Sequence, residues 1–177
     1  QHMDSVEGCP LYLPQAGTVT INGGMIQGGG MAIGMKSGTL NINGGTITAT
    51  GPYVPTVEPN NNGINNSGSA IMIDSNTAYA GKVNINIKGG AITSGQGDAI
   101  REVGAGTNLV SITVSDEAVL SAPEGKLDIS ITNDKTEGQG SKVSVTGGTF
   151  SKKIEDKYLV DDAISIKSGD NYYVGDA

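Results

Sequence analysis

Val19-Thr20-Ile21-Asn22-Gly23-Gly24-Met25-Ile26 decides the reading of this chain, because its grammar returns four more times. The order is apolar, polar, apolar, polar, two small residues, then the start of another apolar segment. The copies are Leu40-Asn41-Ile42-Asn43-Gly44-Gly45-Thr46-Ile47, Ile85-Asn86-Ile87-Lys88-Gly89-Gly90-Ala91-Ile92, Ile112-Thr113-Val114-Ser115-Asp116-Glu117-Ala118-Val119 and Val143-Ser144-Val145-Thr146-Gly147-Gly148-Thr149-Phe150. A second signal follows each copy: Met31-Ala32-Ile33, Ser69-Ala70-Ile71, Asp98-Ala99-Ile100, a weaker Lys126-Leu127, and Asp162-Ala163-Ile164. Each repeat therefore carries at least two short strands. Alternation with one apolar face argues half-buried strands, and recurrence at roughly 20 to 30 residues argues stacked coils.

One coil cannot bury its inward Val, Ile and Leu by itself. Stacking solves this, since equivalent residues of successive coils sit about 4.8 Å apart and form continuous aliphatic columns. Ile21, Ile42, Ile87, Val114 and Val145 are the expected members of one such column. The Gly-Gly pair turns a corner through φ values that most residues avoid. Asn22 and Asn43 sit just before that corner, where stacked amides can hydrogen-bond from coil to coil. Lys88, Ser115 and Thr146 occupy the equivalent later positions, so this ladder is expected to be short.

Composition removes several classes of function. The chain has 177 residues, 28 of them glycine, with one Phe and no Trp, which suits a thin solenoid core. The length fits one domain, and five coils at about 4.8 Å each make a rod of roughly 25 Å. No window approaches the roughly 18 apolar residues of a membrane span, so no membrane insertion is expected. A net charge of −7 with a single arginine argues against nucleic acid or an anionic membrane as a partner, since both need cationic surface. Gln1-His2-Met3 reads as a cloning remnant and holds the chain's one histidine, which leaves no Ser-His-Asp triad or His-containing zinc site. Cys9 has no cysteine to pair with.

Residues 4–16, broken by Pro10 and Pro14, are expected to cap the first coil or lead into it, because an open solenoid end exposes unpaired strand edges. Gly28-Gly29-Gly30 reads as a turn, since no Lys-Ser or Lys-Thr helix start follows to make it a phosphate loop. The stretch between Leu40 and Ile71 is much longer than that between Val19 and Ile33, and residues 51–63 are the insertion. Its prolines and Asn run cannot continue a sheet ladder, so it must protrude. Long loops on one face of a solenoid are the usual contact surface, which makes Tyr53, Asn60, Asn61 and Asn62 candidate ligand contacts; a plain solvated loop is the alternative. Tyr79 in a second loop offers a ring face to a sugar or packs on its own loop.

Gly97-Asp98-Ala99-Ile100-Arg101-Glu102 holds the lone arginine between two acids. With Ile100 inward, Asp98 and Glu102 share the inward parity, so one of them is expected at a turn. Arg101 either pairs with a neighbouring acid or, with Asp98, contacts a ligand. Leu127 to Ile131 alternates as a strand. Residues 151–159 suit one or two helical turns with Ser151 as N-cap, and Ala163 to Val174 reads as a closing hairpin.

The phrases Gly38-Thr39-Leu40-Asn41-Ile42-Asn43-Gly44-Gly45-Thr46-Ile47-Thr48 and Gly147-Gly148-Thr149-Phe150-Ser151, alternating with Gly-Ser-Ala-Ile and Gly-Asp-Ala-Ile, resemble parallel β-helix modules of secreted and surface-attached proteins of gut and cellulolytic Gram-positive bacteria. Some of those modules are carbohydrate-binding. The resemblance covers most of residues 17–174 and reports a coil grammar. The expected fold is thus an all-β, single-domain parallel β-helix, or β-solenoid, of about five coils over 17–177, with a protruding loop at 51–63 and a C-terminal cap.

What the resemblance implies is a non-catalytic adhesion or carbohydrate-binding module, extracellular or on a cell surface, with a glycan or host-surface ligand. A structural spacer or phage fibre or tailspike segment is the alternative, and an oligomer is compatible with it. Polysaccharide hydrolases of this class resemble one another in a cluster of aspartates with a His and an Arg-x-Lys, which this chain lacks. Lyases use aspartates around calcium with a basic residue, and Arg101 is the lone arginine, so catalysis is the third reading. No cofactor is expected. Calcium alone has some support, from Asp74, Asp98, Asp116 and Glu117 at turns, although the Gly-Gly-x-Gly-x-Asp repeat is absent.

Overall fold

The computed structural model describes residues 8–59, 66–75, 78–79, 81–104, 110–132 and 140–176, and the backbone of His2–Met3. It is all-β, and among the described residues the one helical element is a 3-10 turn at Asp156–Tyr158. None of the described helical structure is long and apolar enough to cross a membrane.

The chain visits three sheets in a fixed cycle. The first sheet takes the strand before each corner: Thr18–Ile21, Gly38–Ile42, Val83–Ile87, Val110–Val114 and Lys142–Val145. The second takes the strand after it: Met25–Gly28, Thr46–Ala49, Ala91–Ser94, Val119–Ser121 and Gly148–Phe150. The third takes Leu11–Leu13, Ile33–Met35, Ile71–Ser75, Ile100–Gly104 and Ile129–Ile131. Each strand pairs in parallel with its equivalent one repeat on. This cycle fits a parallel β-helix, and each repeat carries three strands.

Register follows from burial. Ile21, Ile42, Ile87, Val114 and Val145 are successive partners in the first sheet, as the repeat predicts, and all are buried. A slip of one residue would turn every inward side chain to water, so the alternation pins the pairing. Ile47, Ile92, Leu120 and Phe150 form a matching column in the second sheet, and Ile33, Ile71, Ile100 and Ile129 one in the third. These columns meet in one core.

The corners explain the glycines. Gly24, Gly45 and Gly90 have φ of +86°, +95° and +83°, in the left-handed region that a side chain disfavours. They also stack: a Cβ on Gly90 would lie 2.7 Å from the Gly45 carbonyl oxygen. The fourth corner has no glycine pair, and Asp116 takes the left-handed conformation with φ +55°. Aspartate tolerates that region better than most residues.

Several expectations need correction. The fourth corner is one residue longer than its glycine counterparts, so Leu120, not Val119, aligns with Ile92, and Val119 faces out at 39% exposure. In the same repeat the third-sheet strand is Ile129–Ile131, while Leu127 is half exposed. Asp162-Ala163-Ile164 does not continue the third sheet. Ala163–Ser168 and Asn171–Asp176 form an antiparallel hairpin whose second strand pairs with Gly148–Phe150 at the edge of the second sheet. The expected helix over 151–159 is a single 3-10 turn at Asp156–Tyr158 with Glu155, not Ser151, at its N-cap position and no side-chain cap, and the Ser151 hydroxyl is engaged instead by Asp128 and the Ala122 carbonyl. Apart from these corrections, Leu11–Leu13, within the 4–16 segment, is a strand of the third sheet, and the backbone of His2–Met3 pairs with Gln27 and Gly28.

The third sheet differs from the first in being buried on both faces. Ile71–Ser75 is buried throughout, whereas Val83–Ile87 alternates. Its cover is the insertion: Val57 packs on Met31, Met72 and Val103 beside Cys9.

Candidate functional site

The described part of the insertion, residues 51–59, lies over the third sheet, and Arg101 is the side chain that hydrogen-bonds its backbone to the sheet. Arg101 points outward from its strand, yet it is only 7% exposed. Its guanidinium donates to the Val54 carbonyl at 2.6 Å and to the Pro55 carbonyl at 2.8 Å. The Tyr53 ring lies between two cations, with the Arg101 guanidinium 5.1 Å and the Lys126 ammonium 3.2 Å from its centre. Such contacts contribute about 0.5 to 2 kcal/mol each, depending on desolvation. The loop and sheet leave a cleft of about 410 Å³ between them, lined by Pro55, Thr56, Val57, Glu58, Pro59, Arg101, Val103, Gly104 and Thr132.

The second loop returns to the same sheet. The Tyr79 hydroxyl is 3.4 Å from that of Tyr12, and the Lys36 ammonium lies 5.1 Å from the Tyr79 ring centre. Lys36 and Asp74 form a buried ion pair at 2.5 Å between adjacent rungs. Burial, with Tyr79's hydroxyl beside it, pushes the Tyr12 phenol well above its usual range. Burial also raises the Cys9 thiol to about 11, which keeps it protonated and unreactive at neutral pH.

The structure brings Tyr53 and Arg101 together and places Tyr79 over the same sheet. Asp98 is elsewhere. It sits in the turn before its strand, 5% exposed, and accepts the Leu127 amide of the next rung at 2.9 Å. Glu102 is the inward carboxylate, wholly buried between Ile73 and Ile131 in the column, and accepts the Ser75 hydroxyl at 3.1 Å. Asn60, Asn61 and Asn62 lie outside the described residues.

Asp128, 1% exposed, accepts from the Ala122 amide, the Ser151 hydroxyl and the Lys152 amide. Burial raises its pKa against the opposing pull of those donors. The described buried carboxylates thus hold rungs and turns together. No cluster of three or more His, Cys, Asp or Glu with metal-binding geometry occurs among the described residues.

Sequence reasoning missed one further surface. The outward residues of the first sheet form in-register rows: Thr20, Asn41, Asn86, Thr113 and Ser144 in one, with Asn22, Asn43, Lys88, Ser115 and Thr146 at the adjoining corner. Asn86 donates to the Asn41 amide oxygen at 2.9 Å, Asn41 to the Thr20 hydroxyl at 3.5 Å, and Asn43 to the Asn22 amide oxygen at 2.8 Å. A shallow groove of about 560 Å³ runs over Thr20, Asn41, Asn43, Asn86, Lys88, Thr113 and Ser115. The signal was present as the polar positions of the repeat.

Compared with protein-family models, curated proteins and solved structures, the chain matches none.

Proposed function

We propose that this chain is a non-catalytic module of a bacterial surface protein, extracellular or cell-surface, that binds carbohydrate or adheres to a host ligand. In this reading the rungs form a parallel β-helix of about five coils closed by the C-terminal hairpin. The sequence resemblance to carbohydrate-binding β-helices supports it. The observation that carries it is the pinned insertion: Arg101 and Tyr53 fix the 51–59 loop so that Thr56 and Glu58 border a built cleft on an otherwise regular scaffold. A rigid scaffold that holds a shaped loop is how binding surfaces are commonly made.

A glycan array, followed by pull-down with the intact chain, tests this. Binding to at least one host or plant glycan that weakens with Thr56→Ala or Glu58→Ala is the expected result. Absence of binding to every glycan would remove the carbohydrate reading.

One observation favours the spacer or fibre reading. Met25, Val119, Tyr173 and Ile166, all exposed, share one cross-strand row on the second sheet with Thr46, Ala91 and Thr149. An apolar row of this kind suits self-association. Sedimentation showing a stable oligomer that Val119→Lys and Tyr173→Lys dissolve would favour it over the ligand-binding reading.

A further inference from the structure

We infer that the outer face of the first sheet is a second binding site, for a linear, uncharged polysaccharide lying along the coil axis and meeting one sugar per rung. The inference rests on the reading of the chain as a glycan binder but assigns a different surface from the insertion cleft.

The groove's chemistry selects the ligand. Among the described residues its lining offers amides and hydroxyls, one cation at Lys88 and no carboxylate. Asp116, which is not among the lining residues, accepts the hydroxyl of the lining Ser115 at 2.7 Å. In a chain of net charge −7, so neutral a groove suits an uncharged, hydroxyl-rich partner. A polyanion such as nucleic acid needs several cations and finds one. An extended peptide commonly adds to a sheet edge, and these rungs lie within a paired sheet.

Geometry adds orientation. An amide has two donor hydrogens and a carbonyl with two lone pairs. The rung-to-rung bonds of Asn86, Asn41 and Asn43 each use one hydrogen of the donor, which fixes the amide plane and leaves another hydrogen for a partner above the sheet. The donors are therefore set before a ligand arrives, which lowers the ordering cost of binding. Successive rungs are about 4.8 Å apart. A sugar ring with its glycosidic link spans a similar distance, so hydroxyls of successive sugars meet successive rungs.

Among the described residues no aromatic ring lines this groove. Contacts are hydrogen bonds, each modest against water, so affinity must accumulate along the chain. Length dependence is thus the signature of this site.

The test uses the intact chain with soluble mixed-linkage β-glucan, xylan and galactomannan, and a graded series of their oligosaccharides, by affinity electrophoresis and calorimetry. At least one polymer is expected to bind, with affinity rising with oligosaccharide length until the rungs are covered. The double variant Asn41→Ala/Asn86→Ala should weaken binding about ten-fold or more, and Thr113→Glu should do the same while the unfolding transition stays cooperative. Thr56→Ala and Glu58→Ala should leave this binding within about two-fold.

Glycan binding lost in the Thr56 or Glu58 variants but kept in the groove variants would overturn this inference and leave the insertion cleft as the site. No binding to any of the three polymers would overturn it as well, and the array would then decide the carbohydrate reading separately. Binding that does not change with oligosaccharide length would also overturn it.

Discussion

Arg101 shows how one side chain organises a surface. It stands on a regular strand, faces outward, and ties a loop 46 and 47 positions away in sequence to the sheet through two carbonyl oxygens. Hydrogen bonds to a charged donor contribute about 1.5 to 3 kcal/mol each, so Arg101→Ala is expected to cost about 3 kcal/mol or more in urea unfolding. Arg101→Lys should rescue only part of that, because an ammonium lacks the fork that spans both oxygens. Limited proteolysis should cut residues 51–59 faster in both variants; unchanged cleavage would argue that the packing of Val57 and the contact of Tyr53 with Lys126 hold the loop without Arg101. The sequence showed Arg101 beside two acids and so suggested a local pair. Its actual partners could not be read, since nothing local marks a distant carbonyl.

Asp128 gives a pH dependence with a definite sign. Its folded pKa is raised above the ordinary 3.8, mainly by burial, so the folded chain holds this proton more tightly than the unfolded chain. Stability from that proton is present below the ordinary value and is lost as pH rises through the folded one. The stability difference between wild type and Asp128→Ala should therefore be largest at the acid end and decline as pH rises above about 4. A difference that grows with pH over the same window would show that the donors around Asp128 outweigh its burial.

At the scale of the element, the corner sets the strands that follow it. Gly24 and Gly90 share a left-handed φ, but a Cβ on Gly24 meets nothing within 4 Å, while one on Gly90 lies 2.7 Å from a neighbouring carbonyl oxygen. Gly24→Ala should cost about 1 to 2 kcal/mol from the backbone conformation alone. Gly90→Ala should cost clearly more, and equal losses in denaturant midpoints would contradict the stacking of corners. The strands themselves were legible wherever two branched residues alternate around a polar one. The fourth repeat was misread because Asp116-Glu117 resembles a two-residue substitution of Gly-Gly, whereas the corner takes one residue more and moves Val119 outward. The double burial of the third sheet was not legible either, because the insertion folds back on it only in three dimensions.

For the whole molecule, stacking makes each rung depend on its neighbours. Ile87 lies between Ile42 and Val114 and is wholly buried, while Ile21, in the first and outermost rung of the first sheet, has one strand partner and is 8% exposed. Ile87→Ala should cost about 3 to 5 kcal/mol, near the upper part of the usual range for such truncations, and Ile21→Ala noticeably less. Similar losses at both sites would mean that the column does not act as a stack.

The order of the rungs is open to direct chemical proof. In a Cys9→Ser background, cysteines replace Asn41 and Asn86, which are lateral partners on adjacent rungs although 45 residues apart. Their separation of about 4.8 Å falls within the span of a disulfide. A second pair, Asn41→Cys with Thr113→Cys, lies two rungs apart at about twice that distance, beyond reach. Mild oxidation followed by non-reducing peptide mapping should show an intramolecular disulfide in the first pair and none in the second. A disulfide in the second pair, or none in the first, would contradict the stacked register on which the fold and both surfaces depend.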